Sequence, residues 1–326
     1  KELYISYHQD HESKSKSQMS ELLVDLNASD HLNRSHVDQT TEFKLGQLVI
    51  SKLSEDLKKI DLSDEVKYNS FLENFRLSPT SFNSYIRCPV SFYYEKVLKI
   101  PAARTAVLGY GNAVHYALEI YGKKYFKEGV LDEDQLHSFF VIGMEKYRSH
   151  FSPKEWDHYL DEGKRTLFPF VAYYIEEWSQ QEERFFEKPI SAAYYQGVPV
   201  SGKLDRIDIL GDKCQVVDYK TGNSSKVKEK TSPIKNNLPH GGEYWRQMIF
   251  YGLLLDQFKE FSGKYLSSAF YFVNKNKEDE FVKAEIMLTS SEKEIVGAMV
   301  VDVYEKIKNK VFNPGCGKPE CRWCQY

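Results

Sequence analysis

Around residue 190 the sequence changes its period from that of helix to that of strand, and the hairpin that follows constrains the fold more than any other stretch. Apolar and polar residues alternate through residues 190–195, 200–210 and 213–220, as they do when successive side chains point to opposite faces of a sheet. Gly211-Asp212 separates the last two runs, and Gly first in a two-residue loop suits a type II′ turn. With that loop, Leu210 faces Lys213, and counting back places Asp205 opposite Asp218 and Lys203 opposite Lys220. Asp205, Ile207 and Ile209 then share a face with Cys214, Val216, Asp218 and Lys220, apolar near the turn and charged at the far end. Opposed Cβ atoms lie about 4.5–5.5 Å apart and like charges there repel, so a face carrying this aspartate pair calls for a cation.

Aspartate oxygens suit a hard divalent ion such as Mg²⁺ or Mn²⁺, which also binds phosphate oxygens. Such an ion lowers the pKa of a bound water, the chemistry of phosphodiester hydrolysis. Lys220, two positions from Asp218, could orient the nucleophile or stabilise the charge that develops at phosphorus. A solvated strand end with surface Asp–Lys pairs would carry the same residues, so the hairpin alone does not decide the matter.

Upstream, residues 10–77 are polar, with short amphipathic stretches at 19–26 and 45–57, and read as a helical linker or docking segment. A helix start follows at Ser78-Pro79, a capping residue with Pro in the first turn. Residues 106–126 read as a helix with Val114, Leu118 and Tyr121 on one stripe and His115 and Glu119 one turn apart beside it. From 131 to 187 the pattern is helical and aromatic-rich, broken at Ser152-Pro153 and again at Pro169, and reads as an accessory helical layer. Beyond the hairpin come a lysine-rich loop (222–242), a helix (244–258), strands near 267–273 and 281–288, and a last helix (291–310). The order predicts an α/β domain with a mixed sheet and no internal repeat.

A chain of 326 residues with 41% hydrophobic content can fill a sizeable core. Its net charge of -3 excludes a uniformly basic surface, so nucleic-acid contact would come from a local cluster. Lys226, Lys228 and Lys230 in the loop could reach DNA phosphates, and equally could be a solvated loop. No apolar run approaches the roughly 20 residues of a membrane span, which predicts a soluble, cytoplasmic protein with no membrane partner. The strand-like run at 3–7, entered at once from Lys1, reads as part of a longer protein.

Several segments in order carry a resemblance: Gly202-Lys203-Leu204-Asp205-Arg206-Ile207-Asp208, Val217-Asp218-Tyr219-Lys220-Thr221-Gly222 and Gln247-Met248-Ile249-Phe250-Tyr251, preceded by Ser78-Pro79-Thr80-Ser81 with Tyr85 and Cys88-Pro89, and by 109–119 containing His115. Over residues 77–326 the sequence resembles the RecB-like branch of the PD-(D/E)XK nucleases, as in the C-terminal nuclease domains of AddB- and RecB-like helicase-nucleases. The resemblance implies a restriction-endonuclease-like core, a central mixed sheet flanked by helices, over residues 78–326. It implies that His115, Asp205 and Asp218 bind Mg²⁺ or Mn²⁺ with the Tyr219 carbonyl, that Lys220 is catalytic, and that Gln247 and Tyr251 line the site. Residues 1–7 resemble a strand of UvrD-like helicases, which makes residues 1–77 a linker and remnant of a helicase domain in the same parent chain. The expected activity is then a DNA exonuclease in end processing, recombination and repair, with a second helicase-nuclease subunit as a further partner. The rival expectation is a DNA-binding module of the same fold without catalysis; intact Asp205, Asp218 and Lys220 argue against it.

Cys316, Cys321 and Cys324 crowd the C-terminal end, and the distant Cys88 makes four thiolates. Some relatives hold a [4Fe-4S] cluster with one early and three late cysteines, but there the close pair precedes the longer gap. Zinc, which also takes four thiolates, and reduced cysteines without metal stay open. Cys214 reads as packing.

Overall fold

The computed structural model describes residues 65–100, 104–180, 183–261 and 264–324. The runs at 3–7, 19–26 and 45–57 lie outside them. Five strands form one sheet in the order β1 (Glu183–Tyr195), β2 (Val198–Leu210), β3 (Lys213–Lys220), β4 (Tyr265–Phe272) and β5 (Lys283–Met287). Neighbours are antiparallel except β3 and β4, which run parallel. The helices are α1 (Glu65–Asn74), α2 (Pro79–Arg87), α3 (Pro89–Phe92, continued by a π turn at Tyr93–Val97), α4 (Ala106–Glu128), α5 (Glu133–Lys146), α6 (Pro153–Ser179), α7 (Val227–Lys230), α8 (Glu243–Leu255) and α9 (Ser290–Lys308). A parallel pair needs a long crossover, and the connection from β3 to β4 carries α7 and α8.

Strand alternation sorts the core into two layers. Ile207, Ile209, Cys214, Val216, Phe270 and Phe272 pack with Phe82 of α2, Ile249 and Leu254 of α8 and Val300 of α9. On the opposite side Val217, Tyr219, Ala269 and Tyr271 meet Ala113 and Ala117 of α4, Phe140 of α5 and Phe170 and Trp178 of α6. This is the central mixed sheet flanked by helices that the resemblance implies. The segment expected as an accessory layer is therefore half of the core. Residues ahead of Ser78 also belong to this body: Tyr68 of α1 donates its hydroxyl to the Ile307 carbonyl, and Leu77, fully buried, bridges to Val200.

Two boundaries differ from the sequence reading. Pro169 does not break α6. Pro costs about 3 kcal/mol inside a helix, but Pro169 is solvent-exposed while Leu167, Phe170, Val171, Tyr174 and Trp178 on the other face are buried. Strand β1 begins at Glu183 rather than near 190, because Arg184 stacks 3.7 Å over the Phe126 ring and Phe186 packs on α4 at Gly122. Those contacts come from 58 and 64 residues away and leave no local pattern.

The β2–β3 turn falls at Gly211-Asp212, with φ +59° at Gly211, and Leu210 pairs with Lys213. The ladder continues to Arg206–Val217 and stops one pair short of Asp205–Asp218. Leu204 and Ile207, three apart, both enter the α8-side core, so the alternation of β2 slips across Asp205. The expected face-to-face carboxylates are thus replaced by an opened strand end.

Candidate active site

The opened end is where the chemistry-bearing residues converge. Thr105 caps the start of α4 and Gly129, at φ +73°, its end, and the helix lies against the sheet with His115 beside β2. His115 Nδ1 stands 3.2 Å from Asp205 Oδ2, and the same oxygen accepts the Tyr219 backbone N–H at 2.9 Å. The Asp205 side chain thus takes the place of a main-chain acceptor. A residue's N–H and C=O leave a strand on the same edge, so the Tyr219 carbonyl projects toward this gap. From the other layer, α8 brings Gln247 and Tyr251, four apart, onto one face. Asp218 Oδ1 accepts from Gln247 Nε2 at 2.8 Å and from the Tyr251 hydroxyl at 3.0 Å. Lys220 Nζ lies 2.6 Å from Asp218 Oδ2 and donates to Gln247 Oε1 at 3.3 Å. The structure therefore gathers His115, Asp205, Asp218, Tyr219, Lys220, Gln247 and Tyr251 at one sheet end.

Burial sets the electrostatics. It pushes the Asp218 carboxyl up, and the like charge of Asp205 adds to this against the pull of Lys220, so the net shift is upward. Burial also opposes the Asp205 carboxylate, but the His115 charge and hydrogen bond and the Tyr219 N–H outweigh it, and its pKa falls. Two carboxylates driven apart in this way belong to one coupled site. Burial disfavours a charged His115, yet Asp205 and then Asp218 carry its pKa up to about 9. A proton on His115 and the Lys220 ammonium thus balance the two aspartates. A divalent cation would replace the proton: His115, Asp205 and Glu187 offer ligand atoms within 4.8 Å of one another, an imidazole with two carboxylates suited to Mg²⁺ or Mn²⁺, while Asp218, held by Lys220, Gln247 and Tyr251, stands outside this group of three.

One residue here was not read from the sequence. Glu187 lies on β1 between Phe186 and Lys188, which pair with Arg206 and Leu204 on either side of Asp205; it is at φ +50°, and its carboxylate lies within 4.8 Å of ligand atoms of both His115 and Asp205. Lys203 pairs with it from β2. A bulge between Ile190 and Ala193 produces this placement: counting back from the Gln196-Gly197 turn would set Lys188 against Asp205, and the bulge shifts the register by one. Glu187→Gln, which keeps size and hydrogen bonding, is expected to raise the Mn²⁺ concentration for half-maximal binding by about 10-fold. Calorimetric titration measures it, and an unchanged affinity would show that Glu187 is only a partner of Lys203.

The lysine-rich segment behaves differently from a free loop. Lys230 is tied to Glu243 at 2.8 Å and lies over the Tyr244 ring, so it braces the segment against α8 rather than reaching outward. Lys226 and Lys228 are exposed. The loop closes tightly at Gly242, where a Cβ would stand 2.0 Å from the Lys230 carbonyl oxygen. Glu119 pairs with Lys123 at 2.5 Å, and Asp208 is buried against Arg206 at 3.0 Å, both structural roles. Cys88, Cys316, Cys321 and Cys324 come together away from these residues, their sulfurs within 4.8 Å of one another, and Cys214 is buried in the core.

The family model of the PD-(D/E)XK nuclease superfamily matches residues 76–326, most of the chain. The chain belongs to this superfamily. The chain is also similar to a crystal structure of a candidate exonuclease from Eubacterium rectale, with a TM-score of 0.50 and 16% identity over 82% of this chain and 93% of that one, a likeness of fold. Among curated sequences it is 29% identical over 182 residues to an uncharacterized protein of Rickettsia bellii, and 26% identical over 189 residues to one of Rickettsia felis. These matches cover 51% and 53% of this chain but only 21% and 22% of the relatives, so the matched part spans about a fifth of their length. Among the described residues no helix is long and apolar enough to cross a membrane.

Proposed function

We propose that this nuclease is a Mg²⁺- or Mn²⁺-dependent deoxyribonuclease, acting as an exonuclease on DNA ends. The observation that carries the reading is the buried Asp218 carboxylate, held by Lys220, Gln247 and Tyr251 on one side and facing the Asp205–His115 pair on the other. An acceptor that costs burial energy is kept where a cation and a phosphate would meet. His115, Asp205 and Glu187, joined by Asp218 and the Tyr219 carbonyl, would hold the ion, which when bound supplies water activation and charge neutralisation. Gln247 and Tyr251 fix the orientation of Asp218, and the Gln247 amide oxygen steadies the Lys220 ammonium. As water adds to phosphorus and the bond to the leaving sugar oxygen breaks, the growing negative charge lies against Lys220. The exposed Lys226 and Lys228 are placed in our reading along the DNA strand.

The small share of the Rickettsia relatives that is matched supports a multidomain parent. We take that parent to be a helicase-nuclease of recombinational repair, with a second such subunit as partner. End-labelled single- and double-stranded DNA with Mg²⁺, Mn²⁺ or EDTA tests the activity. Short products released from the ends, absent in EDTA and restored by added metal, are expected. DNA binding without cleavage under every condition would instead make the chain an inactive binding module.

A further inference from the structure

We propose that Cys88, Cys316, Cys321 and Cys324 hold a single tetrahedral ion of the zinc type, not an iron–sulfur cluster, as a second metal centre separate from the hydrolytic site. The sulfur spacing carries the inference. Cys88 and Cys324 Sγ are 3.4 Å apart, Cys316 and Cys324 3.7 Å, Cys321 and Cys88 3.8 Å, and all four lie within 4.8 Å of one another. Zinc–thiolate bonds of about 2.3 Å arranged as a tetrahedron have edges of about 3.8 Å. In a [4Fe-4S] centre each thiolate binds a different iron, which spreads the four sulfurs around the core; four sulfurs all within 4.8 Å of one another are too close together to surround it. Nor is the set two disulfides, since even the closest pair exceeds the bond length of about 2.05 Å by far.

The surroundings fit thiolates closed around one ion. Cys88 is buried and its sulfur accepts the backbone N–H of Ser91 and of Cys316, each at 3.4 Å, while the Ser91 hydroxyl lies 3.4 Å from Cys321 Sγ. The chain passes Cys324 so closely that a Cβ on Gly315 would stand 2.5 Å from its sulfur, and Gly317 turns at φ +65° directly after Cys316. Four protein ligands leave no open position, the mark of a structural site. The clasp joins the C-terminal segment to the end of α2. That helix in turn holds α8: Asn83 donates to the Glu243 carbonyl at 2.9 Å and accepts from Arg246 Nε at 2.7 Å, and Phe82 packs on Phe250 at 5.6 Å between ring centroids. Through α2 the ion would stiffen the helix that presents Gln247 and Tyr251.

The test is elemental analysis of the chain purified without oxygen or chelator. About one zinc per chain is expected, with no acid-labile sulfide and no broad absorbance near 400 nm. Exchange with Co²⁺ should give the visible bands of a tetrahedral thiolate complex, and Cys321→Ser should lose both the metal and those bands. Where that variant fails to fold, a mercurial titration of the intact chain is used, with one zinc released for about four thiols modified. Iron and sulfide in about equal amounts, or a chain free of any metal at these cysteines, would overturn the proposal. None of these readouts depends on DNA cleavage.

Discussion

Asp218→Asn is expected to lower Mg²⁺-dependent DNA cleavage by about 10³-fold while leaving the fold intact. The amide fills the space of the carboxylate, so Tyr251 and Gln247 keep a neighbour at 3.0 and 2.8 Å. What disappears is the negative charge between Lys220 and the gap beside Asp205 and His115. A carboxyl whose folded pKa is raised is ionised at a cost, and that cost is fully present once pH exceeds the folded value. At neutral pH the substitution removes it but also takes away the partner of Lys220 at 2.6 Å, so the two effects oppose and the melting temperature should change little while activity falls. Lost cleavage with a kept fold separates a functional residue from a structural one. End-label digestion with a parallel thermal melt measures both, and cleavage within a few-fold of the parent would defeat the assignment.

The second large effect is on stability. Arg206 is fully buried, paired with Asp208 at 3.0 Å, donating to the Tyr219 hydroxyl at 2.6 Å and lying 4.2 Å over the Trp178 ring. Arg206→Met strands the Asp208 carboxylate in the core, which costs about 3–5 kcal/mol. Adding Asp208→Asn removes the stranded charge and should recover a large part of that loss. Urea unfolding of the single and double variants decides: a double variant no more stable than the single one would mean that the guanidinium acts through packing alone. Activity should fall in both, because Tyr219 loses its anchor beside the gap that its peptide borders.

Much of this was legible because the signals were local. The Gly211-Asp212 turn fixed the register of β2 and β3, and the i, i+4 spacing of Gln247 and Tyr251 put them on one helix face. The rest depended on contacts distant in sequence. Glu187 reaches the site through a bulge in β1 and a positive φ, neither of which a periodicity reveals. The strand opening at Asp205 follows from the site itself, where a side chain displaces a ladder partner. Lys230 looks free in a run of lysines, and only the return of the chain at Glu243 captures it. The cysteine spacing suggested four thiolates, but only their separations in space distinguish one ion from a cluster.

The groups at the sheet end come from α4, β1, β2, β3 and α8, with His115 and Tyr251 separated by 136 positions. A hairpin forms in about 1–10 μs, whereas a helix drawn from so far along the chain must first meet the entropy of closing a long loop. Asp205, Asp218 and Lys220 can therefore come together early without the residues that complete the site. A ribosome-bound or half-folded copy would carry the acidic hairpin without the groups that complete the site. The full constellation arrives only with the finished fold.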